Sequence, residues 1–228
     1  MLEDKNCDSI VYASQYDSNG NEGIEGIDIM NDKFFDLKSE KQDRMINAAL
    51  KMFAINGYKH ASTDDIVKEA GISKGLLFHY FTNKMGLYSF LLDYSAKYMS
   101  FEFSRTIGDE KDYFEYIEKL ETAKLNVLRN YPYMSKFIDG CIAENRDDLD
   151  DTGKGALRAY NDTLVRYKSA AEAPELKDGI DTEQLEKIIG YTVKGLTNEA
   201  MEKEDFRPEQ LNRQIVEYLK VFKILTEK

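Results

Sequence analysis

Residues 62–84 read STDDIVKEAGISKGLLFHYFTNK, from Ser62 to Lys84. Two short helical patterns are joined by a glycine turn. Ser62 is a natural N-cap, and Asp64 and Asp65 in the first turn favour the positive end of the helix dipole. Ile66, Val67 and Ala70 recur at helical spacing and face inward. Gly71 permits the left-handed conformation that ends this helix and turns the chain. Ile72 plugs the turn, and Ser73 caps a second helix of about two turns that ends in aromatics at Phe81. The pattern is a helix-turn-helix over about 62–81, with its groove-facing helix second.

The surface of that second helix is unusual. Leu77 and Phe81 lie four apart and share a face assigned to the core. Lys74, Gly75, Leu76, Phe78, His79 and Tyr80 are then left largely outside. A short helix exposing Leu, Phe, His and Tyr makes sense as a partner interface. Lys74 can reach a phosphate or a guanine edge. Gly75 lets the backbone approach closely, and Leu76 can meet a thymine methyl. Tyr80 offers a hydroxyl, His79 a ring donor, and Lys84 a charge for a backbone phosphate. Two other readings stay open: Phe78 as half-buried core, and His79 as a surface residue without a base contact.

A preceding helix is expected from Ser39 to about Asn56, with Ile46, Ala49, Leu50 and Phe53 on one face and a stop at Asn56-Gly57. Residues 1–38 form an acidic lead-in without helical period, read as a flexible tail. Within it Phe34, Phe35 and Leu37 can dock on the next helix, and Met30 is an alternative start.

The chain has 228 residues, 42% apolar and 32% charged, with three prolines and two cysteines. Alternating apolar/polar runs are scarce, so an all-α fold is expected. Cys7 and Cys141 stand far apart without metal or disulfide spacing, which fits a reducing, cytoplasmic setting. No stretch approaches a membrane span. The net charge of −11 argues against nucleic acid at face value. The average hides a gradient: residues 1–29 hold seven Asp/Glu against one Lys, whereas residues 38–98 hold nine Lys/Arg against six Asp/Glu. Both histidines also lie in that basic segment, and phosphate neutralisation is local.

The run from Ile46 to about Leu92 resembles the DNA-binding domain of the TetR family (TetR/AcrR-like) of bacterial transcriptional regulators. The pieces that carry the resemblance are residues 48–53, Asn56-Gly57-Tyr58, residues 62–66, residues 70–75, residues 77–81, and Asn83-Lys84 before Leu87-Tyr88. They keep their order and spacing over residues 39–99. The resemblance implies that Ser62, Thr63, Tyr80 and Lys84 contact phosphates. It implies that Lys74, Gly75, Leu76 and His79 face the groove, beside the cap Ser73. Two positions depart from the pattern. Phe78 replaces a tyrosine whose hydroxyl bonds phosphate in relatives, and Leu76 replaces a small or polar residue. Readout here is therefore expected to be more apolar.

Residues 100–228 are expected to form a helical regulatory and dimerisation body, giving about nine helices in all. Helices are expected from Lys84 (capped by Thr82 or Asn83) to about Thr106 and over 111–130. A shorter one carries Met134, Phe137, Ile138 and Cys141. Others are expected over 152–171, from Asp181 or Thr182 to about Glu204, and from Pro208 onward. The run Glu144 to Asp151 reads as a solvated acidic loop without a metal site. The two C-terminal helices resemble the pair through which this family forms homodimers. The resemblance also implies a cavity for a small apolar or cationic aromatic effector, for which Tyr94, Tyr98, Phe101, Tyr133, Phe137 and Tyr160 are candidates. The same aromatics also read as packing between helices. No catalytic motif appears and no cofactor is implied. The expected function is a homodimeric repressor released from a palindromic double-stranded operator by its effector. The alternative is an activator or architectural factor of the same fold, controlled by a partner.

Overall fold

A computed structural model describes residues 33–203 and 205–228. The acidic segment before residue 33, with Cys7 and Met30, lies outside the described residues. From Ser39 on the chain forms nine helices: α1 Ser39–His60, α2 Thr63–Ala70, α3 Lys74–Tyr80, α4 Lys84–Ile107, α5 Tyr113–Asn130, α6 Met134–Glu144, α7 Asp151–Ala170, α8 Thr182–Met201 and α9 Pro208–Thr226; residues 33–35 are also helical. The fold is all-α, a helix-turn-helix head followed by a helical body. No helix among the described residues is long and apolar enough to cross a membrane.

Packing divides the described residues into two compact units, one running to Phe101 and joined by Tyr131–Tyr160, the other Glu102–Asn130 with Asn161–Lys228. In the first unit, α1 buries Met45, Ile46, Ala49, Leu50 and Phe53. It packs on α2 on one side and on α6 on the other. Phe137 of α6 places its ring 5.2 Å from Tyr88 and 6.2 Å from Phe53. Cys141 lies beneath, 3.0 Å from the Tyr88 hydroxyl. Burial pushes the Cys141 thiol up to about 12, so it stays protonated. A second buried polar chain runs from Tyr94 to Tyr131, hydroxyl to hydroxyl at 2.6 Å, and on to the Asp43 carboxylate at 3.1 Å. It ties α4 and the α5–α6 junction to α1. Burial raises the Asp43 carboxyl above its ordinary range, against the lowering effect of the Tyr131 bond.

In the second unit, α5 and α8 pack on α9. The core stripe of α9 is Leu211, Ile215 and Leu219, matched by Leu185, Ile189 and Leu196 of α8. Lys223 of α9 reaches Asp112 at 3.3 Å, and Thr122 donates to Asn212 at 3.2 Å. The α7–α8 connection is pinned along the chain end, where Lys177 N donates to Thr226 O and Lys228 N to Glu175 O.

Side-chain caps fix several boundaries. Asn83 accepts from Gly86 N at 2.9 Å and Asp181 from Gln184 N at 2.9 Å, which decides between the alternative caps for α4 and α8. Asp112 and Asp150 cap α5 and α7 in the same way. Helix α8 stops at Met201, just after the last residue of its apolar period, Ala200, and short of the expected end near Glu204.

The loop after α6 differs from expectation. Glu144, Asp147, Asp148, Asp150 and Asp151 are exposed, but Leu149 is 5% exposed and the Arg146 side chain 9%. The loop is docked by these two residues rather than solvated throughout, because a leucine and a long guanidinium stem both find cover.

The stop at Asn56-Gly57 appears as a sharp break. Helical turns continue to His60, but Gly57 has φ 67° and ψ 172°, a region that non-glycine residues avoid. A Cβ there would also lie 2.5 Å from the Glu144 carboxylate oxygen. Gly57→Ala is therefore expected to lower stability by about 1–3 kcal/mol, read as a fall in the thermal or urea midpoint. An unchanged midpoint would mean that this break is not required.

Candidate nucleic-acid interface

Helix α2 begins at Ser62, whose hydroxyl accepts from Asp64 N at 3.2 Å and Asp65 N at 3.4 Å. It ends at Gly71, left-handed at φ 65°, ψ 40°, with Ile72 N returning to Val67 O at 3.0 Å. Ser73 then caps α3 by accepting from Leu76 N at 3.2 Å. Each cap satisfies amides that a helix start leaves without partners.

Helix α3 has seven residues and is held from behind. Leu77 is fully covered and Phe81 nearly so. Ser73, Lys74, Gly75 and His79 are exposed, while Leu76 and Phe78 are half-buried. A Cβ on Gly75 would meet nothing within 4 Å, so a partner can approach the backbone there. Ser62 and Thr63 at the start of α2 are half-buried.

One site residue stands otherwise than the spacing suggested. Tyr80 is 8% exposed, not outside. Its ring centroid lies 5.7 Å from that of Phe34, which is itself fully covered and packs on Phe81 and Phe90, each at 5.3 Å. Tyr80 is three residues from Leu77 and so shares its face; Phe34 extends the core to reach it. Phe34 thus docks on the end of α3 and on α4. Gln42 fixes this lead-in by donating to Phe35 O at 3.0 Å and Leu37 O at 2.7 Å.

Both lysines singled out from the sequence have intramolecular partners. Lys74 pairs with Asp64 at 2.9 Å, joining the starts of α3 and α2. Lys84 points its ammonium at the Lys59 carbonyl, 3.4 Å away, and lies 4.6 Å from the Tyr58 ring centroid. Burial, and then the charge of Arg146, hold that ammonium below its ordinary range. Asp64, Tyr58 and Arg146 were not foreseen as parts of this surface. Their links span 10 to 88 residues of chain, and helical periodicity carries no signal at such distances.

The six candidate effector residues do not line either of the two concavities described. One, of about 400 Å³, is formed by Leu125, Arg129, Glu209, Asn212 and their neighbours; the other, of about 500 Å³, by Asn56, His60, Glu144, Arg146 and theirs. Tyr94 and Tyr98 stack at 6.1 Å and both pack on Tyr131. Tyr160 is buried, and Phe101 and Tyr133 are half-buried.

The capped pair α2–α3 is a helix-turn-helix whose second helix carries an exposed lysine and an open glycine. The family model TetR_N, "Bacterial regulatory proteins, tetR family", matches residues 45–89. The chain is 31% identical over 172 residues to the uncharacterized HTH-type transcriptional regulator YuxN of Bacillus subtilis strain 168, covering 68% of this chain and 58% of YuxN. It is 26% identical to the HTH-type transcriptional repressor ComR of Escherichia coli K12, over 71% of this chain and 80% of ComR. A TetR-family regulator from Chloroflexus aurantiacus superposes with a TM-score of 0.57 at 22% identity, over 86% of this chain and 98% of that one. The chain belongs to the TetR family of helix-turn-helix transcriptional regulators.

Phe34→Ala removes a ring that backs α3 and is expected to cost about 3–5 kcal/mol of stability, read by denaturant unfolding. A loss under 1 kcal/mol would show that the lead-in is not part of this core.

Proposed function

We propose that the chain is a homodimeric repressor that binds a palindromic operator, one α3 per half-site. Residues 39–99 are the DNA-binding domain and residues 100–228 the regulatory and dimerisation domain. The observation that carries this reading is the exposed face of α3. Lys74 stands at its N-terminus, and Gly75, Leu76, Phe78 and His79 follow, on a helix fixed from behind by Leu77, Tyr80 and Phe81. Lys74 and Leu76 read base edges. Ser62, Thr63 and Lys84 hold phosphates, and Tyr80 is left only a rim contact. Repression rather than activation is supported by the likeness to ComR, a repressor by name.

Dimerisation is supported by a second apolar stripe on each C-terminal helix, apart from the core stripe. Helix α8 exposes Ile188 (51%) and Tyr191 (74%), and α9 exposes Tyr218 (45%), Val221 (52%) and Leu225 (62%). Gly195, one turn beyond Tyr191 on the same face, lets a partner helix approach closely. Burying both stripes against a second copy by two-fold symmetry removes them from water.

An effector of apolar or cationic aromatic character is the family-based source of control. A second reading, control by a protein partner, is favoured by one observation: Tyr94 and Tyr98, two of the residues expected to line a cavity, pack on each other and on Tyr131 in the core. Selection of bound sequences from random double-stranded DNA, repeated with a metabolite panel, tests both. Inverted-repeat half-sites support the dimeric repressor, and ligand-dependent loss of binding supports the effector. Failure to enrich any sequence would overturn DNA recognition.

Two variants follow. Lys74→Ala is expected to weaken operator binding by about 1–3 kcal/mol in gel-shift titration; unchanged affinity removes Lys74 from the readout. The pair Tyr191→Glu and Leu225→Glu is expected to yield monomers in sedimentation at micromolar concentration, with unaltered helix content. A dimer that survives both places the interface elsewhere.

A further inference from the structure

Tyr58 follows the break at Gly57, and two cations meet on its ring. Lys84 Nζ lies 4.6 Å from the ring centroid and Arg146 Cζ 3.9 Å. Arg146 comes from the α6–α7 loop. Its side chain is 9% exposed, its guanidinium bonds Asp148 at 2.5 Å, and its Nε has no hydrogen-bond partner. The same loop grips the turn a second time, where Glu144 Oε1 accepts from Tyr58 N at 3.3 Å. All of these residues belong to one compact unit.

Physically, a ring face attracts each cation, while the two cations repel one another at short range. Arg146 holds the ring more closely and is anchored by Asp148. Lys84 is half-buried, and its link to the Lys59 carbonyl is long at 3.4 Å. A weakly seated ammonium moves to a phosphate more readily than a firmly seated one. Were Arg146 absent, the ring would be left to Lys84 alone, and the lysine would settle deeper.

We infer that Arg146 is a positioning residue for DNA binding: by occupying Tyr58 and repelling Lys84, it keeps the lysine available to a phosphate and ties DNA affinity to the α6–α7 loop. This rests on the reading of Lys84 as a phosphate contact. The loop then does more than pack. Any displacement of it alters how firmly Lys84 is held, without touching α3 itself.

A double-mutant cycle on the full chain tests the inference, using the operator obtained by selection and a range of salt concentrations. Lys84→Ala is expected to weaken binding several-fold and to reduce the slope of log affinity against log salt by about 0.9. Arg146→Met, which keeps an apolar stem against Tyr58, is expected to weaken binding about three- to tenfold alone and less than twofold in the Lys84→Ala background. Arg146→Ala provides a second truncation, and thermal unfolding of every variant shows whether each is folded. Unchanged affinity in Arg146→Met, or the same loss with and without Lys84, would overturn the inference and leave Arg146 a structural clamp. A Lys84→Ala variant with full affinity and unchanged salt slope would instead remove the phosphate reading, whatever Arg146 does.

Discussion

A helix of seven residues has no stability of its own in water, since nucleation fixes several residues for each early hydrogen bond. Everything that α3 presents outward therefore depends on what holds it from behind. Three side chains in two turns, Leu77, Tyr80 and Phe81, are buried, and Phe34 closes the cluster from outside the helix-turn-helix. Caps at Ser62 and Ser73 and the left-handed Gly71 set the angle between the helices. Together they leave Lys74, Gly75, Leu76, Phe78 and His79 as the part free to face a partner. A reading head with so many apolar atoms is stable only because its opposite face is buried so completely.

Electrostatics then settles how an acidic chain presents a DNA-binding surface. The charge is partitioned along the sequence, and residues 38–98, which include the head, hold nine Lys/Arg against six Asp/Glu. Two cations of the head are paired across its helices, Lys51 with Glu69 and Lys74 with Asp64. The Lys74–Asp64 pair leaves both side chains at least half exposed, so it contributes about 0–1 kcal/mol. A good base-edge contact is worth about 1–3 kcal/mol. On the proposed reading of Lys74 at a base edge, the exchange favours DNA. Lys84 is handled differently, by an aromatic ring and a rival cation rather than a carboxylate.

The head was largely legible in the sequence because its determinants are local. Ser62, Gly71 and Ser73 are capping and turn residues whose effects reach a few positions along the chain, and each caps or turns as expected. Helix boundaries followed for the same reason. The break at Asn56-Gly57 was readable, although its dihedral angles were not. Tyr80 was misread because the four-residue spacing of Leu77 and Phe81 was taken to define the whole core face. A residue three from Leu77 shares that face when something comes to meet it, and Phe34 does. The grip of Arg146 on Tyr58 left no trace in periodicity, since 88 residues separate them. Acidic residues on either side of Arg146 concealed it as part of a solvated run. The candidate effector residues rest on the family resemblance and on residue type, and neither separates an aromatic that lines a cavity from one that fills a core.

The aromatics of the first unit bear on how such a protein can switch. With no tryptophan in the chain, tyrosine supplies the large buried rings that carry a polar end. Those ends are satisfied by one another: Tyr94 by Tyr131, Tyr131 by Asp43, and Tyr88 by Cys141. A buried hydrogen-bonded chain resists small distortion, because leaving one member unpaired exposes the full desolvation penalty of that group. Between α1, α4 and the α5–α6 junction, motion is therefore confined to changes that keep the chain intact or that exchange it whole for another set of partners. The exposed rim of the same unit has no such restriction. There Lys84 is held by a long contact and a shared ring face, interactions that weaken gradually with distance. Graded control of DNA affinity fits that rim, and all-or-none change fits the tyrosine chain beneath it.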